Sequence, residues 1–164
     1  MYNSETNVGL RGENICIVHY LGLLESVAPS KDKIGFAGSA KSLEGRSSEE
    51  RLIGLVENAQ LNDLLHKDSS TSKQVAVHVS NNGFKITDLS SGNVLDRVSL
   101  LCVIQCVSYE DDDGNSNVAF LVQKPLSSRL QCHLFQTKSI ADADHICALL
   151  QQAFTAAVNS AKVQ

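Results

Sequence analysis

The sequence has no tryptophan, one methionine and two prolines among its 164 residues, and it has no excess of basic side chains. Its net charge is −4 and its isoelectric point is near 5.7. A nucleic-acid-binding domain usually carries a basic face, so this charge balance argues against nucleic acid as a partner. With 43% hydrophobic and 20% charged residues, the composition is that of an ordinary globular protein.

Long apolar runs and paired cysteines are also missing. No stretch approaches the roughly 20 apolar residues of a membrane span, and the first residues lack the apolar core of a signal peptide. The five cysteines are an odd number, none lies in a C-x-x-C pair, and no N-x-S/T glycosylation signal occurs. We therefore expect reduced thiols in a cytoplasmic protein, with the inner membrane face or the nucleus as alternative locations.

A chain of 164 residues is long enough to form one domain. Residues 1–13 are polar and contain glycine, which predicts a flexible N-terminal lead-in. Residues 14–164 predict the folded domain, with a long loop at 28–46 that is rich in Ser, Gly, Ala and Lys. Ile15–Val27 is apolar and β-branched at its start, so it predicts a buried strand with a bulge or close backbone approach at Gly22.

Two segments have the spacing of amphipathic helices. Ser47 and Glu50 form a capping box before apolar residues at mostly helical spacing, and this helix is predicted to end near His66. The second helix is predicted from Ser139 to about Val163. Its apolar residues recur every three or four positions, at Ile140, Ala143, Ile146, Cys147, Leu150, Ala153, Phe154, Ala157 and Val158. Such a wide stripe can cover a sheet and leave surface for a partner.

Between the helices the apolar period changes to two, which is typical of β-strands. Asn81-Asn82-Gly83 and Asp113-Gly114 predict tight hairpin turns. The predicted strands are 74–80, 84–89, 94–98, 100–109, 118–123 and 130–136. Strands in hairpin succession with segregated helices predict an α+β fold. Because such a sheet curls, we expect an antiparallel orthogonal β-sandwich or partly open barrel, capped by the C-terminal helix.

Two motifs of ligand binding are nearly present but incomplete. Residues 35–42 (GFAGSAKS) resemble a phosphate-binding loop, with alanine in place of the second glycine that lets backbone N–H groups close on phosphate. Residues 111–113 are three aspartates, but the glycine and distal glutamate of an EF-hand do not follow them. A flexible loop and a solvated hairpin are the favoured interpretations. The sequence predicts neither a cofactor nor a metal.

The cysteines and histidines form no clear constellation. Cys132 and His133 are adjacent on a strand and point to opposite faces, while Cys102 and Cys106 lie roughly 13 Å apart on an extended strand. A Cys–His nucleophile stays open as the weaker alternative to a non-enzymatic protein. Thiols that pack as small buried hydrophobes are predicted at Cys16, Cys102 and Cys147.

The strand predicted at 100–109 is apolar on both faces. Alternation places Val103, Val107 and Tyr109 on one face and Cys102, Ile104 and Cys106 on the other. This pattern fits a central core strand. It fits equally well an edge strand whose groove against the terminal helix accepts an extended peptide by β-augmentation.

Several segments, taken in order along the chain, resemble the phosphotyrosine-binding (PTB) domain family, whose members have the PH-like superfold. HYLG at His19–Gly22 is similar to the first strand of that family, VSYEDD at Val107–Asp112 to the peptide-binding strand of Dab- and Numb-like domains, and QQAFTAAV at Gln151–Val158 to the terminal helix. The chain most resembles the integrin cytoplasmic domain-associated branch, on LEG at 43–45, ENAQ at 57–60, VIQCVSYEDD at 103–112 and SIADADHICALLQQAF at 139–154. The resemblance covers about residues 15–160.

This resemblance implies an adaptor that binds NPxY or NPxF motifs in the cytoplasmic tails of receptors. It implies an integrin β tail as one ligand and the ankyrin-repeat FERM scaffold protein of the cerebral cavernous malformation pathway as another. The peptide would add antiparallel to the 100–109 strand, with its NPxY turn near the start of that strand. The implied peptide-binding residues are Leu100, Val103, Ile104, Cys106, Ser108, Leu150, Phe154 and Val158.

The phosphorylation state of the ligand follows from the basic residues. A phosphotyrosine needs arginine partners, and no arginine pair is clearly placed for one, so we expect an unphosphorylated ligand. Basic residues do surround the first loop and helix, at Lys31, Lys33, Lys41, Arg46 and Arg51. Because the PH-like superfold also hosts phosphoinositide-binding modules, a weak contact with membrane lipid stays open as the alternative function.

Overall fold

The computed structural model describes residues 14–27 and 47–163 of the chain. The predicted lead-in at 1–13 and the predicted loop at 28–46 lie outside the described residues. The loop includes the phosphate-loop-like segment and all the basic residues named above except Arg51.

The described chain contains seven strands, two helices and one 3₁₀ turn. In order, they are β1 (Asn14–Val27), α1 (Ser48–Leu61), β2 (Lys73–Val79), β3 (Gly83–Asp88), β4 (Val94–Ser99), the 3₁₀ turn (Leu100–Cys102), β5 (Val103–Glu110), β6 (Ser116–Val122), β7 (Leu130–Thr137) and α2 (Ile140–Val163). Most bounds agree with the predicted ones to within two residues.

The strands form one antiparallel sheet in the order β4-β3-β2-β1-β7-β6-β5. Strands β3 and β6 are four positions apart, which would be about 19 Å in a flat sheet. The rings of Phe84 on β3 and Phe120 on β6 nevertheless lie 5.0 Å apart between centroids. The sheet therefore curls over itself and stays open, and the predicted α+β, PH-like fold is confirmed.

Each helix covers a different face of this curled sheet. Helix α2 closes the concave side with Ala143, Ile146, Leu150 and Ala153, which pack in one core cluster with Phe84, Phe120 and Phe135. Helix α1 packs on the convex side through Leu52, Val56 and Ala59, beside Leu21, Val107 and Leu134. Strand β6 lies between the two layers, and all seven of its residues are buried.

Helix α1 begins as predicted and ends earlier. The Ser47 hydroxyl accepts a hydrogen bond from the Glu50 N–H at 3.1 Å, and the Glu50 carboxylate accepts one from the Ser47 N–H at 3.0 Å. The helix ends at Leu61 rather than near His66, because Asp63 is left-handed with φ 62°. Leu65 then turns back into the convex cluster, and the His66 N–H donates to the Leu21 carbonyl on β1.

The predicted bulge at Gly22 is present. The register between β1 and β7 shifts between Tyr20 and Gly22, and Gly22 has φ +130°. A Cβ atom at Gly22 would lie 3.1 Å from the Leu65 side chain. The glycine therefore provides both the bend in β1 and the room for the segment that follows α1.

The strand predicted at 100–109 begins later than expected, and Val103 was assigned to the wrong face, whereas Cys106 and the pair Val107 and Tyr109 lie on opposite sides as predicted. Leu100–Cys102 forms the 3₁₀ turn, capped by the Ser99 hydroxyl, which accepts from the Leu101 N–H. The register between β5 and β6 then shifts, because Val103 pairs with Val122 and Gln105 with Leu121. The extra residue is Ile104.

A polar cluster ties β4 to β7 inside the curl. The Asp96 carboxylate lies 3.1 Å from Nε2 of His133 and accepts a hydrogen bond from the Lys124 ammonium. The Tyr20 hydroxyl lies 2.8 Å from Nδ1 of His133, whose side chain is fully buried. Burial alone would raise the pKa of the Asp96 carboxyl. The imidazole of His133 and the ammonium of Lys124 outweigh burial and lower the pKa to about 2.

This cluster predicts a component of acid denaturation. A carboxyl with a lowered pKa stabilises the fold above its unfolded pKa of about 4, and this contribution is lost as the pH falls toward 2. Allowing for solvent screening, we expect a loss of about 1 kcal/mol in the free energy of unfolding. Urea unfolding of the wild type and Asp96→Asn at pH 6 and pH 3 measures it. The variant should lose less stability between the two pH values, and equal losses would contradict the assignment.

Candidate peptide-binding groove beside strand β5

Strand β5 forms one edge of the sheet. It pairs with β6 on one side, and within the described residues no strand pairs with its other side. Helix α2 packs alongside β5 and runs antiparallel to it, because Cys106 contacts Cys147 while Ser108, farther along the strand, contacts Asp144, which lies earlier in the helix. An edge strand presents unpaired backbone N–H and C=O groups, which is the feature that β-augmentation requires.

A cavity of about 280 Å³ lies between β5 and α2. Its floor is apolar, with Leu150 almost completely buried and Phe154 half-buried. Its rim carries the carboxylate of Glu49, at the start of α1. The described residues that line it are Glu49, Val103, Ile104, Gln105, Cys106, Cys147, Leu150, Gln151 and Phe154.

The bulge at Ile104 decides which side chains reach this cavity. Because one residue is inserted, Val103 and Cys106 face the same side of β5 and pack against the concave core. Val107 and Tyr109 are buried on the other side, beneath α1. Ile104 is left 53% exposed at the strand edge. An exposed isoleucine at the mouth of a cavity is available for contact with a ligand.

Three side-chain contacts hold the walls of the groove together. The Ser108 hydroxyl on β5 donates to the Asp144 carboxylate on α2 at 2.5 Å. The sulfur atoms of Cys106 and Cys147 lie 2.7 Å apart. Gln105 Nε2 donates to the Ser48 hydroxyl at 3.1 Å, which brings the start of α1 to the strand edge.

The structure brings five of the eight predicted peptide-binding residues to the cavity: Val103, Ile104, Cys106, Leu150 and Phe154. Ser108 lies farther along β5, in its contact with Asp144. Leu100 is 1% exposed and belongs to the concave core beneath α2. Val158 is half-buried, one turn beyond Phe154, and does not line the cavity.

Four lining residues were not among the predicted ones. Cys147 and Gln151 lie near Leu150 and Phe154 on α2, so the helical period could have identified them. Gln105 follows the bulge, whose position the alternation of apolar residues does not reveal. Glu49 comes from α1, and no local signal in the sequence places that helix at the strand edge.

The acidic segment predicted as a solvated hairpin forms a turn that Asp111 organises. The Asp111 carboxylate accepts hydrogen bonds from the Asp113 and Asn115 N–H groups at 2.9 Å each and from Asn117 Nδ2 at 3.1 Å, so it organises its own hairpin. Among the described residues, no three His, Cys, Asp or Glu side chains converge on a possible metal position. Neither described helix is long and apolar enough to cross a bilayer.

The cysteines divide into two groups. Cys132 is completely buried beneath α1, facing away from His133 as predicted, and burial raises its thiol pKa to about 12. Such a thiol is a poor nucleophile at neutral pH. Cys16, Cys102 and Cys147, which were predicted to be buried, are only half-buried, and so is Cys106.

A larger depression of about 530 Å³ lies elsewhere, between the Gly22 bulge and residues 63–71. Its lining includes the exposed side chains of Leu64, His66 and Lys67. It adjoins a turn segment rather than an unpaired strand edge. The β5 groove is therefore the better candidate for an extended peptide.

Comparisons with known proteins identify the family of this chain. The sequence model described as beta-1 integrin binding protein matches residues 20–163, which include every element from the middle of β1 to the end of α2. A curated relative is the integrin beta-1-binding protein 1 of Mus musculus, which is 27% identical over 147 residues. The aligned region covers 88% of this chain and 68% of the mouse protein. The chain therefore belongs to the beta-1 integrin binding protein family.

Proposed function

We propose that this chain is a non-enzymatic adaptor that binds an NPxY- or NPxF-type motif in the cytoplasmic tail of an integrin β subunit. The observation that carries the proposal is the edge of β5, unpaired within the described residues, beside a cavity whose floor is formed by Leu150 and Phe154. The name of the family and that of its mouse member support an integrin as the ligand. The proposed location is the cytoplasmic face of the membrane, where such a tail is exposed.

The peptide adds to β5 as an antiparallel strand and pairs with residues 105–110. Backbone hydrogen bonds provide affinity, and the cavity provides specificity for one ligand side chain. The bulge at Ile104 interrupts the regular ladder at the start of β5. The turn of the motif lies there, since an extended ligand loses its pairing at that point. By the same mode, the domain binds the NPxY motif of the ankyrin-repeat FERM scaffold protein of the cavernous malformation pathway.

Charge substitutions at the groove test this proposal. Ile104→Asp and Phe154→Asp each place a carboxylate against the apolar side chain of the ligand. We expect each to weaken binding by roughly 2 kcal/mol or more, about 30-fold. Isothermal titration with a synthetic integrin β1 tail peptide measures the change. Ile104 is 53% exposed and Phe154 is half-buried, so the fold should tolerate both substitutions.

Leu61→Asp is the matched control. Leu61 is 75% exposed at the far end of α1, about 20 Å along the helix from the groove. This variant should bind like the wild type. If Ile104→Asp and Phe154→Asp bound the peptide as tightly as Leu61→Asp, the groove would not be the binding site.

The cavity favours an unphosphorylated ligand. Among the residues that the structure describes, its lining includes the Glu49 carboxylate and no lysine, arginine or histidine. A phosphate that enters the cavity would find no cationic partner among these residues and would be repelled by Glu49. We expect the phosphotyrosine form of the tail peptide to bind roughly fivefold more weakly than the plain peptide, a difference of about 1 kcal/mol.

Paired titrations of the two peptides measure this preference, and Glu49→Gln should reduce it. Raising the salt concentration should also reduce it, because exposed charges are screened. Tighter binding of the phosphorylated peptide would show that cations outside the cavity contribute to the site.

A second candidate function is weak contact with anionic membrane lipid. It is supported by a depression of about 350 Å³ on the other half of the sheet, which Lys85 and Arg97 line together with Ser80 and Asn82. Lys85 and Arg97 are direct partners on β3 and β4. Sedimentation with vesicles of phosphatidylcholine, with and without phosphatidylinositol 4,5-bisphosphate, tests this function. Lipid contact predicts pelleting only with the anionic lipid and its loss in Lys85→Gln, and no pelleting excludes it.

A further inference from the structure

Two thiols meet in the floor of the groove. Cys106 on β5 and Cys147 on α2 are 41 residues apart in sequence, and their Sγ atoms lie 2.7 Å apart. This separation is only about 0.7 Å longer than a disulfide bond. Both cysteines line the cavity and neither is fully buried, so a small reagent can reach them from the groove.

The two thiols differ in acidity. Contact with the Cys106 thiol lowers the pKa of Cys147, and the Ser108 hydroxyl adds to this effect against burial and the nearby carboxylates of Asp144 and Glu49. Burial raises the pKa of Cys106 well above its usual value. This difference favours Cys147 as the attacking thiolate of the pair and Cys106 as the residue that resolves the product.

We propose that Cys106 and Cys147 form a reversible disulfide that fastens α2 to β5 and closes the groove to an extended peptide. Formation of the disulfide is independent of the proposed function, whereas the effect of closing the groove rests on the proposed function. In a reducing compartment the resting state is the dithiol, which is the form that the structure contains.

The oxidant is a small-molecule disulfide such as oxidised glutathione. The Cys147 thiolate attacks one of its sulfur atoms, which forms a mixed disulfide and releases one glutathione thiolate. Cys106 then loses its proton and attacks Cys147 Sγ as a thiolate, which forms the protein disulfide and releases the second glutathione thiolate. Two electrons pass to the oxidant, and the two protons that the cysteines lose protonate the two glutathione thiolates.

Closure follows from the position of the pair. A separation of 2.7 Å is shorter than the usual contact distance of two non-bonded sulfur atoms and longer than a disulfide bond, so a disulfide draws β5 and α2 closer, whereas two thiols favour a wider gap. In the dithiol form, the contacts that hold the two elements here are non-covalent, and α2 can shift outward to admit a ligand side chain. The disulfide removes this freedom, because the strand and the helix are then joined at the cavity floor.

Mapping of the disulfide tests the first part of the proposal. The full chain is treated with oxidised glutathione, its free thiols are alkylated, and peptides are identified by mass spectrometry without reduction. We expect a Cys106–Cys147 cross-link in the wild type and in Cys102→Ser, which removes a half-buried thiol outside the pair. Cys106→Ser should instead accumulate glutathione on Cys147, and Cys147→Ser should accumulate little on Cys106. A wild type that forms no cross-link between these two residues would overturn the proposal.

Titration of the same samples with the integrin β1 tail peptide tests the second part. We expect the oxidised wild type to bind at least about tenfold more weakly than the reduced form, with recovery after dithiothreitol. Oxidised Cys102→Ser should behave in the same way. A complete cross-link with unchanged affinity would overturn the closure. If neither redox form bound the peptide, the proposed function would fail while the mapped disulfide would stand.

Discussion

Apolar side chains on the concave face of the sheet are buried because the sheet bends until its distant strands touch. The contact between Phe84 and Phe120 joins strands that are four positions apart, and Phe135 packs against Phe120 from β7. Bending removes the central part of this face from water but leaves one side of the curl uncovered. Helix α2 covers that side, and the edge strand β5 lies beside the helix as a consequence.

The groove exists because the apolar stripe of α2 is wider than the core requires. Ala143, Ile146 and Leu150 complete the concave core. Cys147 and Phe154 pack at the border of this core and extend the stripe toward β5, where they also form a wall of the cavity. On the convex side, α1 packs over Val107, Leu121 and Leu134 and so covers part of β5, β6 and β7. One sheet thus supports two helices with different roles.

The sequence predicted the elements with local signals better than those set by long-range packing. Capping residues located the start of both helices, and Asn-Gly and Asp-Gly pairs located two hairpins. The end of α1 was predicted too late because Leu65 is apolar for a tertiary reason: it packs under Gly22, and Gln60 Nε2 donates to the His66 carbonyl. At β5, alternation could not reveal the inserted Ile104. A single extra residue moved Val103 to the face of Cys106.

The same reasoning applies to the groove. Helical period and the PTB-like resemblance selected Leu150 and Phe154, and the cavity includes both. Leu100 was assigned to the strand, but the 3₁₀ turn directs it into the core. The Cys106–Cys147 contact joins residues 41 apart, so no local pattern could indicate it.

The acidic hairpin after β5 affects what can lie along the strand edge. Glu110 ends the strand, and Asp111, Asp112 and Asp113 follow it, of which the last two are exposed. Asp111 accepts hydrogen bonds from the backbone of its own turn. A chain that runs antiparallel to β5 passes this hairpin with the residues that precede its turn. Their electrostatic energy is lower when they are lysine or arginine than when they are acidic, and the difference decreases as salt is added. In the proposed complex, the hairpin thus favours basic residues in the part of the ligand that precedes the turn and lies outside the cavity.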